Sequence, residues 1–286
     1  VRRNDGSVAY TPDSSANGFY IIGLHGLGLV DKLGLLMFFG VALGVTAHAL
    51  ARYYFKRRRA QRHPGEAPVT RPVYMYDRYE RLWHWLQASA ILILLGTGLI
   101  IHKPHIFGMF SFAYVVQVHN VLGFILLINA ALALFYNLAS GEIRQYLPEP
   151  KGFIGRSMAQ TLYYTRGIFA GEPHPLEKTK ERKLNPLQQI TYLAILNILL
   201  PAQVITGVLI WGLQEWPHLA TSLGGLPVLA PIHTLVAWAF SAFIVMHVYL
   251  TTAAGETLAA GIKSMISGWE HVAHHEPKSA IDPQES

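Results

Sequence analysis

Five stretches of this chain are continuously apolar with few charges, at about residues 33–51, 83–101, 112–138, 190–213 and 230–254. Each is long enough to cross about 30 Å of hydrocarbon as a helix. The polar stretches between them differ sharply in charge. Segments 52–82, 139–187 and 255–286 together hold nineteen Lys and Arg, whereas segments 1–32, 102–111 and 214–229 hold four. Basic loops stay on the cytoplasmic side, so the pattern predicts an N-terminus outside and a C-terminus inside. The run KRRRAQRH from Lys56 to His63 follows an apolar span directly and reads as a stop-transfer anchor, not as a nucleic-acid patch. Trp83 and Trp85 mark the inner interface, Trp211 and Trp216 the outer one.

The stretches outside the spans are less structured in sequence. Residues up to Gly18 are polar and lack the charged-then-apolar order of a signal peptide. Pro64, Gly65, Pro68 and Pro72 predict a loop, and 139–187 is broken by Pro148, Pro150, Pro173 and Pro175 around a short helix near Arg156 to Phe169. No internal repeat is evident. The organisation expected is a periplasmic segment 1–32, a first transmembrane helix 33–51, a basic cytoplasmic linker 52–75, a four-helix core 76–270 and a polar cytoplasmic tail 271–286.

Composition agrees and narrows the chemistry. The 286 residues are 51% hydrophobic and 14% charged, with mean hydropathy +0.28, too little polar surface for an ordinary soluble domain. The net charge of +6 is topological in origin. There is no cysteine, which removes disulfides and Cys-ligated zinc or iron–sulfur centres from this chain. There are fourteen histidines.

Five histidines fall within spans, where an ionisable group is costly and usually functional: His48, His84, His119, His233 and His247. His84 lies at the cytoplasmic start of the second span, and His119 about two turns into the third from outside. His233 and His247 share the last span, fourteen residues apart. That spacing is about 21 Å of rise and roughly 40° short of four full turns, so one helix offers a ligand near each surface on nearly one face. By depth, His119 matches His233 and His84 matches His247. Two histidines per site, without thiolate or carboxylate, point to two stacked b haems. Gly96, Gly98, Gly123 and Gly207 would let a porphyrin approach the backbone, or serve close helix packing. His48 has no partner at its depth and reads as a side chain hydrogen-bonded to a neighbouring helix. His25, His63, His102, His105, His174, His218 and the tail histidines read as mostly solvated.

YERLWHW around His84, the His119 span, GIFAGEPHPLEKTKERKLNPLQQ from Gly167 to Gln189 and the His233/His247 spacing carry a resemblance. Over about residues 76–270 the chain resembles the di-haem cytochrome b subunits of membrane-bound formate dehydrogenases (their gamma subunits), thiosulfate reductases and nickel–iron hydrogenases. The resemblance implies an all-α integral membrane fold: a four-helix haem-binding bundle plus one additional N-terminal helix. It implies His119 and His233 on a periplasmic haem and His84 and His247 on a cytoplasmic one, in a bacterial inner membrane. It further implies electron passage between a periplasmic iron–sulfur or cytochrome c subunit of a catalytic complex and a quinone near the inner haem. Asn185 and Gln188 carry over as quinone contacts, although Leu187 stands where formate dehydrogenase members carry glycine. Glu80 is a candidate proton carrier, and Asn185 before Pro186 is equally a helix cap. A histidine proton relay in a transporter and a purely structural anchor are the competing classes. The first expects broken helices and midplane carboxylates, and the second leaves the paired histidines unexplained.

Overall fold

A computed structural model describes residues 28–62, 70–104, 106–107, 111–176, 178–254 and 259–273. The expectations for the N-terminal segment before residue 28, most of the Pro64–Pro72 loop and the end of the tail lie outside them. The elements in order are α1 (Leu29–Arg62), β1 (Thr70–Tyr74), α2 (Arg78–His102), α3 (Phe112–Ser140), a 3₁₀ turn Glu142–Gln145, and α4 (Phe153–Leu162). A π turn Tyr163–Gly167 and a last turn Ile168–Ala170 extend α4. There follow α5 (Pro186–Ala194), a π turn Ile195–Leu199, α6 (Leu200–Glu215), α7 (Pro217–Ser222), α8 (Gly225–Ala254), α9 (Ala260–Ser267) and β2 (Trp269–Ala273). Five helices are long and apolar enough to cross a membrane: α1, α2, α3, the continuous run Pro186–Leu213 and α8. The chain is an all-α membrane protein, and all five spans stand where the apolar pattern puts them. The first runs further than hydropathy marks, because the basic Lys56–Arg62 run continues the α1 helix.

The outward faces of the spans are apolar and uncovered, with Leu43 73% and Phe135 71% exposed. This is the reverse of a soluble core and is what lipid solvates. Local chemistry sets the boundaries. Gly141, at φ 79°, ends α3 in the left-handed conformation that lacks a Cβ penalty. The π turn before Pro201 accommodates the missing proline N–H, and Asn197 donates its side-chain amide to the Leu193 carbonyl at 2.9 Å.

The described residues form two compact units. The first comprises the chain up to Thr46, Leu82–Arg144 and Thr191–Tyr249, and holds most of the apolar spans. In it, an added Cβ at Gly34 would overlap the indole of Trp238, so α1 and α8 meet at a point only glycine allows. Asp31, 3% exposed, accepts Lys103 at 2.6 Å and His102 at 2.7 Å, tying α1 to the end of α2. His102 is therefore an anchored side chain and not a solvated one.

The second unit comprises Ala47–Arg81, Gln145–Ile190 and the chain from Leu250. An antiparallel pair of strands, unanticipated from sequence, sets Thr70 opposite Ala273 and Tyr74 opposite Trp269. Met75 is fully buried beside it. Lys178 donates to Tyr76 Oη at 2.7 Å and to both oxygens of Glu270 at 2.7 and 2.9 Å. Burial opposes the Lys178 charge, but Tyr76 and Glu270 outweigh it and raise its pKa above the ordinary lysine value. Arg59 donates to the Ala170 carbonyl at 3.0 Å, capping the turn that ends the α4 extension.

Gly34→Leu should cost about 1–3 kcal/mol by forcing the Trp238 ring aside. The check is thermal unfolding in detergent beside Gly44→Leu, since a Cβ at Gly44 would meet nothing within 4 Å. Equal midpoints for the two variants would contradict the contact.

Candidate functional site

Unit 1 brings four of the five intramembrane histidines into two facing pairs. The rings of His119 on α3 and His233 on α8 have centroids 6.3 Å apart at 70°. Those of His84 on α2 and His247 on α8 are 6.2 Å apart at 42°. The pairing expected from depth is thus the pairing found in space, and α8 supplies one member of each.

The surroundings of the two pairs differ. His119 Nδ1 lies 2.8 Å from Thr97 Oγ1, and His233 Nδ1 lies 2.9 Å from Thr206 Oγ1. Each threonine also donates its hydroxyl to the carbonyl four residues back, Ile93 at 2.8 Å and Ala202 at 2.6 Å. The hydroxyl proton being so engaged, each ring donates Nδ1–H to the threonine oxygen and carries its lone pair on Nε2. The Gln203 side-chain amide donates to His233 Nε2 at 3.0 Å, so that nitrogen is a lone-pair acceptor, and a flexible side chain occupies the approach to it. In the other pair, His84 Nδ1 is buried without a hydrogen-bond partner among the described residues.

The glycines divide. A Cβ added at Gly98 would lie 3.4 Å from His119 Cε1, and one at Gly207 would lie 3.2 Å from His233 Cε1. These two let the rings sit against the backbone. A Cβ at Gly96 or Gly123 would meet no atom within 4 Å, which leaves room beside the helices.

Sequence reading missed Thr97, Thr206, Gln203 and one further polar pair. Asn129, 8% exposed, donates its amide to Gln87 Oε1 at 2.8 Å and approaches the Trp83 carbonyl at 3.4 Å. Gln87 follows His84 by less than one turn, so a satisfied polar pair lies within the spans near that histidine. Polar side chains inside spans were the available signal.

The remaining predicted residues lie in unit 2. His48 donates Nε2–H to the Tyr164 carbonyl at 2.8 Å within the π turn, as a bonded side chain and not a member of either pair. Asn185 and Gln188 form a reciprocal capping box at the start of α5: Asn185 N–H donates to Gln188 Oε1, and Gln188 N–H to Asn185 Oδ1, both at 2.9 Å. The Asn185 amide reaches Tyr164 Oη at 3.4 Å. Glu80 is engaged at both oxygens, by Lys183 Nζ at 2.6 Å and the Asp77 N–H at 2.8 Å, which makes it a helix-capping ion-pair member. His174, expected to be solvated, accepts from the Gln160 amide at 3.1 Å and donates to the Leu176 carbonyl at 2.7 Å.

Among the described residues no group of three or more His, Asp or Glu could hold a bare metal ion. A pair of imidazoles suits a metal whose other positions a macrocycle fills. Residues 75–268 match the family model described as prokaryotic cytochrome b561. The chain belongs to the prokaryotic cytochrome b561 family. It is a b-type membrane cytochrome of electron transfer, and the match leaves out α1, as the resemblance read from sequence also did.

Among curated proteins, the putative cytochrome YdhU of Escherichia coli K12 is 33% identical over 80% of this chain and 84% of its own length. The probable Ni/Fe-hydrogenase B-type cytochrome subunit of Rhizobium leguminosarum bv. viciae is 28% identical over 73% and 93%. The putative protein-methionine-sulfoxide reductase subunit YedZ1 of Azospira oryzae is 27% identical over 64% and 92%. No solved structure matches. These likenesses support haem b as the group the cytochrome binds.

Gly207→Val should push the His233 ring out of place at a cost of about 1–3 kcal/mol. Haem absorbance per purified chain should fall, while Gly44→Val on α1 leaves it unchanged. Full absorbance in the Gly207 variant would refute the role given to that contact.

Proposed function

We propose that this cytochrome is the electron-transferring membrane subunit of a respiratory oxidoreductase complex. In this reading His119 and His233 hold an outer b haem, His84 and His247 hold an inner one, and a quinone is the diffusible substrate on the cytoplasmic side. One observation carries the proposal. Imidazole–metal bonds are about 2.0–2.1 Å and a ring nitrogen lies about 1.1 Å from its centroid, so an iron between two rings sets them about 6.3 Å apart. Both pairs stand at that separation, 6.2 and 6.3 Å, fourteen residues apart on α8.

A b-type haem supplies reversible one-electron transfer when bound. The chain's own part is to fix each ring, exclude water with apolar helices and set two sites about 21 Å apart along α8. The charge bias of the loops supports an N-terminus and an outer pair on the periplasmic side. A partner carrying iron–sulfur or c-type centres would meet the chain there. The relatives whose names place them in a Ni/Fe-hydrogenase and a methionine-sulfoxide reductase support a catalytic subunit in the complex, with the substrate chemistry in that subunit.

The test is haem counted per chain. His119→Ala or His233→Ala should remove the outer haem alone, His84→Ala or His247→Ala the inner alone, and His48→Ala neither. Two haems retained in any of the first four variants would refute that ligand. A purely structural anchor predicts no haem in the parental protein either.

For the quinone, a neutral amide donor at the edge of the hydrocarbon is what a carbonyl acceptor requires. Asn185→Asp keeps the oxygen that caps α5 and removes the amide donor, so it separates capping from quinone contact. Turnover with a soluble quinone should drop severalfold with both haems present and the melting temperature unchanged. Undiminished turnover would remove Asn185 from the quinone site.

A further inference from the structure

One local pattern occurs twice in unit 1. Thr97-Gly98-Leu99-Ile100-Ile101 on α2 and Thr206-Gly207-Val208-Leu209-Ile210 on α6 each hold a histidine of another spanning helix. In both, the threonine oxygen takes the ring Nδ1–H, at 2.8 and 2.9 Å, and the next glycine underlies the ring Cε1. In both, the threonine hydroxyl is bonded to the carbonyl four residues back and lies 3.2 Å from the carbonyl three back, Leu94 in one case and Gln203 in the other. Two separate stretches of chain form one kind of clasp, and both clasps serve the same pair of histidines. In the other pair, His84 Nδ1 has no such partner among the described residues.

We propose that Thr97 and Thr206 are paired positioning residues that hold both outer imidazoles with Nε2 toward the iron and bias the outer haem toward its oxidised form. This rests on the reading of His119 and His233 as the outer ligands. The physical reason is a relay of hydrogen bonds. A ring N–H that donates to an oxygen makes the opposite nitrogen a better donor to metal. Here the accepting hydroxyl is itself polarised by a main-chain carbonyl, which strengthens the relay. Greater electron density at Nε2 favours the iron state of higher charge, so the clasped haem gives up its electron more readily. Locking the tautomer matters as much, since a ring carrying its proton on Nε2 could not ligate.

The experiment uses the full-length protein purified in detergent, carrying Thr97→Val, Thr206→Val or both, with haem content and an optical redox titration as readouts. At fixed ambient potential the ratio of reduced to oxidised outer haem should rise roughly two- to tenfold per threonine, the factor of one neutral hydrogen bond. The inner haem should not move. Thr97→Ser and Thr206→Ser keep the hydroxyl and should restore the parental ratio. Where a valine variant loses the outer haem, the serine variant decides: haem kept at the parental ratio supports the clasp, and loss overturns it. A double valine variant with two haems and an unchanged ratio also overturns it. Failure of the ligand reading itself shows separately, as two haems retained in His119→Ala.

Discussion

An imidazole placed in hydrocarbon has two nitrogens and no water, and the arrangement of unit 1 follows from that constraint. A polar atom left unpaired in such a place costs free energy that helix packing alone does not return. For His119 and His233 one nitrogen is satisfied by a threonine oxygen at 2.8–2.9 Å, which leaves the lone pair on the other. Bringing a ring that near the backbone of a neighbouring helix requires a position without Cβ, and Gly98 and Gly207 provide it. The order threonine then glycine is therefore one device: the first residue bonds the ring and the second admits it.

Much of this was legible before any coordinates. The spans follow from hydropathy because lipid tolerates only helices whose faces are apolar, and the five runs have no competing interpretation. The histidine pairing follows from the rise of a helix: fourteen residues on α8 fix two depths, and His84 and His119 match one each. Thr97 and Thr206 were not legible because threonine inside a span usually bonds its own helix, which both also do. Only the third dimension shows a second bond to another helix. The Asn129–Gln87 pair was hidden for the same reason, since the partners lie on different spans and neither carries a charge.

The non-spanning chain was harder still. β1 and β2 are separated by the chain from Met75 to Gly268, and a five-residue strand containing Pro72 carries no alternation that marks it. Glu80 and the Asn185–Gln188 pair were visible as chemistry and ambiguous as role. Asn185 and Gln188 form a reciprocal capping box and Glu80 accepts the Asp77 N–H, so the side chains that looked available for protons or quinone first serve the helix starts. Asn185 retains an amide donor beyond the cap, whereas Glu80 has both oxygens engaged. That difference is why the quinone proposal rests on the asparagine and leaves the glutamate out.

The two histidine pairs also constrain what the chain does in a complex. In the proposed reading each pair would hold a b haem through its imidazole nitrogens, and a haem so held would supply one-electron transfer. The sequence has no cysteine, and its described residues offer no cluster of three metal ligands. Under the proposed function the chain moves electrons, and the bond chemistry belongs to a catalytic partner. Setting the sites about 21 Å apart along α8 puts them near opposite surfaces of a layer about 30 Å thick. Under the proposed orientation, with electrons arriving outside and protons taken up with them by quinone inside, each turnover separates charge across the layer. The second electron then moves against the field left by the first. A wire of this kind works against that field only if its entry site releases electrons readily, and under that orientation the threonine-held pair is the entry site.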